Sequence, residues 1–282
     1  MQAVARTAHK LHPLAPHEPP NGAWYDKSAV KNKMSPSPFA QNLIHIEEEI
    51  AAAASKAGRA RSEITLIAVS KTRPAFAIRE VYDAGVRHFG ENRVQEWEGK
   101  RAEVMSLPGA VWHLIGHLQS NKAARAARTF HSIDSLDDFA LAEKLRRALN
   151  EDSQSPELPP SGKHTKKLRA LIEVRVAEEE TKSGVTPADL PGLADKISAL
   201  PEIDLAGLMC IPPFLEDAEK VRPYFSKLRT FRDDLATRLA RPLPVLSMGM
   251  SHDFAVAIQE GATEVRIGTA LFGVRENPKE NP

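Results

Sequence analysis

Residues 64–74 read ITLIAVSKTRP, and the architecture follows from how this stretch is divided. Ile64, Leu66, Ile67, Ala68 and Val69 make a nearly continuous apolar run, the pattern of a parallel strand covered on both faces. Ser70, Lys71 and Thr72 interrupt it, and Pro74 can occupy the first turn of a helix that follows. Lys71 therefore leaves the core where substrate-binding loops begin. Two roles are open to it: a solvated strand-end lysine, or an amine whose pKa falls on desolvation, so that its neutral form attacks an aldehyde.

The same strand-then-helix unit recurs on either side. Upstream, Leu43, Ile44, Ile46, Ile50 and Ala54 recur at helical spacing from Phe39 to near Gly58. Downstream, a helix is expected over 74–84 with Gly85 as its stop, then a strand over 88–92 and a helix over 94–105. Strands over 111–116 and 130–134 follow, each with its helix, the second helix spanning 136–149. The polar, proline-rich stretch 150–167 is expected to be a surface insertion, because the alternation resumes directly after it. Strands over 168–176 and 203–211 precede helices over about 187–200 and within 216–239. The last two strands lie within 244–251 and 264–273, with helices from Ser251 to Glu260 and at the end. Eight strand–helix units predict a single (β/α)8 TIM barrel over residues 38–282 with one extra N-terminal helix. An open doubly wound sheet is disfavoured, since no glycine-rich loop follows the first strand.

Composition narrows the class. Of 282 residues, 42% are hydrophobic, enough for a large core. The 38 basic and 37 acidic residues leave a formal charge of +1, which implies no general attraction to nucleic acid or membrane. No apolar stretch approaches bilayer length. Cys210, the single cysteine, lies in the apolar run AGLMCIPP and is expected to be a buried structural thiol in a reducing, cytoplasmic compartment. Residues 1–37 carry five prolines without sustained periodicity, and read as a disordered extension lacking a secretory h-region. Met34 is the expected physiological start, to be tested by mass spectrometry of the native N-terminus.

The final two units carry glycine-bearing loops: Gly249 and Ser251 in one, Gly268 and Thr269 in the other. Each opens a helix, so backbone N–H groups would converge in the place where barrels often hold a phosphate. Arg266 alternates with Val265 and Ile267 and is expected to point inward, either in a lumen ion pair or toward a ligand. An amine from the first strand beside an anion site from the last two fits pyridoxal 5′-phosphate, which carries an aldehyde and a phosphate.

Seven ordered motifs carry a resemblance to a known family: AVSKTRP, HFGENRVQE, WHLIGHLQSNK, KSGV, GLMCIPP, LSMGMSHDF and VRIGTALFG, spread over roughly residues 40–273. The chain resembles the pyridoxal phosphate homeostasis protein family, single-domain relatives of the alanine racemase barrel (fold type III). The resemblance implies that Lys71 forms the internal aldimine and that Ser251, Gly268 and Thr269 bind the phosphate. It also implies that Arg266 faces the ring nitrogen and that Asn92 and Met248 line the cofactor pocket. Nothing carries over to residues 1–37 or 150–167.

Racemisation needs acid–base groups on both faces of the cofactor adduct. In alanine racemases a tyrosine, supplied with the help of an added β-domain, is one of them. Here residues 274–282 follow Gly273, and the tyrosines Tyr25, Tyr82 and Tyr224 fall in the extension or in helices. The expected role is cofactor storage and delivery by a monomer, with apo-enzymes that use the cofactor as recipients. A low-activity amino-acid racemase and a Schiff-base aldolase on a sugar phosphate stay open. His113 and His117 straddle a strand end and are expected in a pocket wall or in solvent, not on a metal. Lys122, Arg125 and Arg128 are expected to form a solvated face, and Trp112 to be core.

Overall fold

The computed structural model describes residues 37–153, 167–177 and 183–274. The extension before Ser37, with Met34, and residues 154–166 of the expected insertion lie outside them.

Eight parallel strands close into a barrel in sequence order, a (β/α)8 TIM barrel. They are β1 (Thr65–Val69), β2 (His88–Glu91), β3 (Val111–Leu114), β4 (Ser132–Leu136), β5 (Leu168–Glu173), β6 (Ile203–Met209), β7 (Val245–Met250) and β8 (Glu264–Ile267). The helix before β1 is α1 (Pro38–Lys56), and α2 (Ala75–Asp83), α3 (Val94–Val104), α4 (Ala123–Thr129) and α5 (Phe139–Ser153) follow β1 to β4. α6 (Leu190–Ser198), α7 (Arg222–Arg238), α8 (Phe254–Gln259) and α9 (Thr269–Phe272) follow β5 to β8. No helix among the described residues is long and apolar enough to cross a membrane.

α1 starts where Ser37 accepts the Ala40 N–H (3.3 Å) and Pro38 fills the first turn. It buries Leu43, Ile46, Ile50, Ala53 and Ala54 and packs against α8 and α9. Asn42 ties it to the Leu271 carbonyl (3.0 Å), so the helix braces the last barrel unit.

β3, β5 and β6 end two or three residues earlier than expected, at Leu114, Glu173 and Met209, and several helix boundaries shift as well. β4 runs to Leu136, because Asp138 accepts from the N–H groups of Ala140 (2.9 Å) and Leu141 (3.2 Å) and starts the helix later. α5 then continues to Ser153, into the stretch expected to be an insertion. Ahead of α6, Thr186 and Asp189 lock a turn: the Thr186 hydroxyl donates to Asp189 (2.6 Å) and accepts its N–H (3.2 Å). α8 begins at Phe254 and not at Ser251, because the Asp253 carboxylate accepts the Met250 N–H (2.6 Å) and closes a turn over 250–253.

The helix-facing residues of the strands form one continuous core, including Leu66, Ala68, Phe89, Trp112, Ile133, Leu208, Val265 and Ile267. Trp112 stacks on Phe89 at 5.1 Å, in the core as expected. The lumen has a different filling. Toward the strand N-termini it is ionic: His88 meets His113 (3.0 Å), and His113 meets Asp134 (2.9 Å). Arg169 donates to Ser132 (2.9 Å) and Glu264 (2.5 Å). His113 is thus buried in an ion network, not a pocket wall, and His117 points to solvent with Asp137 at 3.6 Å. His113, Asp134 and Glu264 are close enough to share a cation. The Arg169 guanidinium already serves both carboxylates, at 3.6 Å from Asp134 and 2.5 Å from Glu264, so the cluster is charge-paired without a metal.

Burial, with His113 beside it, pushes the His88 pKa down to about 4 from 6.5. Burial also pushes Asp134 up, but His113, Arg169 and Ser132 outweigh it and hold that carboxyl below its usual range. Burial raises Glu264 despite Arg169. Between pH 6.5 and 4 the unfolded chain protonates His88 while the folded chain does not, so this group's contribution to stability is lost as pH falls across that window. A shift of that size corresponds to at most about 3 kcal/mol. Glu264 acts in the opposite sense, so the comparison of wild type with His88→Gln isolates the histidine. Urea unfolding at pH 7 and pH 4.5 should show a smaller acid-induced loss in His88→Gln, by roughly 1–2 kcal/mol; equal losses would contradict the assignment.

Candidate functional site

The ends of β1, β7 and β8 bring the candidate residues to one rim. β1 pairs with β8, Ala68 opposite Ile267, and β8 pairs with β7, Arg266 opposite Met250. A Cβ placed on Gly268 would lie 3.4 Å from that of Val69, two residues before Lys71. Lys71 itself is half-buried in the turn just past β1, where Arg73 N–H bonds the Ser70 carbonyl (3.1 Å). Thr72, the next residue, has a left-handed φ of 61°.

Across the seam, the turn that delays α8 turns Ser251 toward α9. Its Oγ accepts from the N–H groups of Gly268 (3.3 Å) and Ala270 (3.2 Å). Those donors have no helical partner because they lie at a helix start. An oxygen is therefore held at the N-terminus of α9, with exposed Thr269 as its first residue. Gly249 has φ 93°, and a Cβ there would come within 2.6 Å of Ala257 Cβ and 2.9 Å of Phe254 Cα. Only glycine lets β7 turn this closely over α8.

Arg266 is 3% exposed and points into the lumen, as its alternation with Val265 and Ile267 predicts. Its guanidinium donates to Ser247 Oγ (2.9 Å) and the Cys210 carbonyl (2.8 Å), which fixes its plane beneath the rim. Cys210 is buried, and burial pushes its thiol up to about 12, as suits a structural cysteine. Asn92 follows β2, half-buried, with its carbonyl 2.5 Å from where a Gly116 Cβ would be. Met248 stands apart from the others: it is fully buried in the core cluster, one residue after lumen-facing Ser247. Met250, half-exposed and in register with Arg266, is the methionine at the mouth. Alternation with Ser247 puts Met248 on the helix-facing side, and the register shift between Ser247 and Met250 brings Met250 opposite Arg266.

One group escaped the sequence reading. Beneath the Lys71 turn, buried Glu91, Lys100 and Ser70 form a linked cluster, with Lys100 Nζ 2.8 Å from both Glu91 Oε1 and the Ser70 carbonyl. Burial raises the Glu91 carboxyl in spite of Lys100, and Glu91 Oε2 has no hydrogen-bond partner among the described residues. The only signal in the sequence was an acidic residue inside a strand that otherwise reads as buried. The expected basic stripe is solvated: Arg125 and Arg128 are exposed, and Arg125 meets Glu98 at 3.3 Å.

Residues 42–276 match the family model described as alanine racemase, N-terminal domain. The chain is 44% identical over 236 residues to the pyridoxal phosphate homeostasis protein of Aquifex aeolicus, covering 84% of this chain and 98% of that one. The chain belongs to the pyridoxal phosphate homeostasis protein family. The Escherichia coli K12 member is 41% identical over 246 residues, 86% of this chain and 99% of its own. Among solved structures, PipY of Synechococcus elongatus with PLP bound matches at 39% identity and TM-score 0.70, covering 83% of this chain and 100% of that one. Alanine racemase from Corynebacterium glutamicum, at 18% identity and TM-score 0.57, shares the fold.

The Ser251 turn depends on the close approach at Gly249. Gly249→Ala should cost more than about 2 kcal/mol, from the left-handed φ and the overlap with α8. Chemical denaturation measures this, and a cost below about 0.5 kcal/mol would contradict the packing described.

Proposed function

We propose that this chain binds pyridoxal 5′-phosphate covalently through Lys71 and takes part in keeping that cofactor available, holding it and handing it on without turning over a substrate. The observation that carries this is the oxygen site at α9, where Ser251 Oγ receives two backbone N–H groups on the seam that leads to Lys71. The donor set suits the cofactor. Ser251, Gly268 and Thr269, with the neighbouring backbone N–H groups, would hold the phosphate, the Lys71 amine would meet the aldehyde, and Arg266 would face the ring nitrogen. Asn92 would border the ring, and of the methionines Met250 suits the mouth better than Met248.

When bound, the group supplies an aldehyde that condenses with an amine, and a ring that accepts electrons. The Lys71 amine would be the group that meets that aldehyde, with water as the leaving molecule. The Arg266 guanidinium is a hydrogen-bond donor and has no acceptor to offer. Beside the ring nitrogen it would keep that nitrogen unprotonated and the ring a weak electron sink, which suits holding better than turnover. Tyr82 and Tyr224, the tyrosines among the described residues, lie on α2 and α7, and the Tyr82 hydroxyl donates to the Pro108 carbonyl (2.7 Å). The Tyr82 hydroxyl is thus taken up by that carbonyl and offers no second proton-transfer group. Relatives carry the name homeostasis protein, and a solved relative is described with PLP bound, in keeping with this role. We further propose that the chain works as a monomer in the cytoplasm and that its recipients are apo-enzymes that use the cofactor.

The purified protein should be yellow. Lys71→Ala should lose the visible absorbance yet keep part of the affinity. Ser251→Ala with Thr269→Ala should release the cofactor more readily, each lost charge-assisted bond costing roughly 1.5–3 kcal/mol. Equilibrium dialysis of the variants decides, and unchanged retention in the double variant would contradict the phosphate assignment. Racemase turnover abolished by Lys71→Ala would overturn the holding role, and a colourless protein that cleaves sugar phosphates would point to an aldolase.

A further inference from the structure

The turn that carries Lys71 is gripped from below by one buried lysine on a different element. Lys100 lies on α3, and its side chain is 9% exposed. Its Nζ lies 2.8 Å from the Ser70 carbonyl, 3.4 Å from the Arg73 carbonyl and 2.8 Å from Glu91 Oε1. Three donors thus meet three acceptors, and the ammonium is saturated. Two of those acceptors are the carbonyls at either end of the four-residue turn, with Lys71 and Thr72 between them. The third, Glu91, also accepts the Ser70 hydroxyl (2.5 Å), so the carboxylate fixes the turn's first residue a second time. Glu96, on the same helix as Lys100, accepts the Thr72 N–H and lies 3.7 Å from Lys100 Nζ. That contact holds Thr72 in its left-handed conformation, which a β-branched residue adopts only under constraint.

We infer that Lys100 is a positioning residue for Lys71: with Glu91 and Glu96 it locks the 70–73 turn so that the Lys71 amine is presented at the rim in one place. The inference rests on the cofactor role of Lys71 proposed above. Stability alone does not explain the arrangement. Buried ion pairs are generally replaceable by apolar side chains of similar volume at little cost, and Lys100 sits on a helix that already buries Val94, Trp97 and Val104. An apolar residue would fill the space, but it could not bond the carbonyls on both sides of Lys71. The charge serves the geometry of the turn.

The variant pair is Lys100→Met with Glu91→Gln, which removes the ammonium without stranding a buried carboxylate, compared with the parent chain. Three measurements separate the outcomes. Backbone hydrogen exchange in the apo chain reads the turn directly: protection at Thr72 and Arg73 N–H should fall, with no global change in melting temperature. Affinity for pyridoxine 5′-phosphate, which has the phosphate and ring but no aldehyde, should stay within about twofold, while condensation with pyridoxal 5′-phosphate, followed by absorbance, slows at least about tenfold. A purely structural role would move the two ligands together. Unchanged exchange at the turn, or an unchanged condensation rate in a folded variant, would overturn the inference. A parent chain that binds pyridoxine 5′-phosphate but never condenses would overturn the role of Lys71 itself, and the exchange result would still show whether Lys100 holds the turn.

Discussion

The hydrogen-bonded seam between β1 and β8 is the constraint on which the site depends. Lys71 and Gly268 are almost two hundred residues apart in sequence, and only closure of the parallel sheet makes them neighbours. Register sets the rest: with Ala68 opposite Ile267, the turns after both strands emerge at the same height. α1 protects this seam from outside, since it packs on α8 and α9 and Asn42 bonds the last turn of the barrel. The extra N-terminal helix is therefore part of what holds the rim together.

The lumen below the rim is filled by charge, which is costly unless every group is paired. The pairing is nearly complete. His88, His113, Asp134, Arg169 and Glu264 interlock near the strand N-termini, and Arg266 bonds Ser247 and Cys210 above them. Such a network tolerates few arrangements, because a displaced guanidinium would leave a carboxylate buried alone. The floor beneath the candidate site is thus held by directional, charge-paired bonds.

Much of the barrel was legible in the sequence because buried parallel strands read as apolar runs and each is followed by helical spacing. Strand one, the inward Arg266 and the two glycine loops were all visible in this way. Features set by cross-chain contacts were not. The late start of α8 depends on Asp253 reaching back to Met250, and the pairing of Met250 with Arg266 depends on a bulge, neither of which periodicity reports. The grip of Lys100 on Ser70 and Arg73 joins α3 to a turn some thirty residues earlier. Lys100 read as one more polar residue on a helix of weak amphipathic pattern, and nothing local marked its ammonium as buried.

The most direct test of the covalent role given to Lys71 is chemical. Protein incubated with pyridoxal 5′-phosphate, reduced with borohydride and digested should carry one phosphopyridoxyl group, on the peptide containing residue 71, as seen by mass spectrometry. A label spread over surface lysines, or none, would contradict the account.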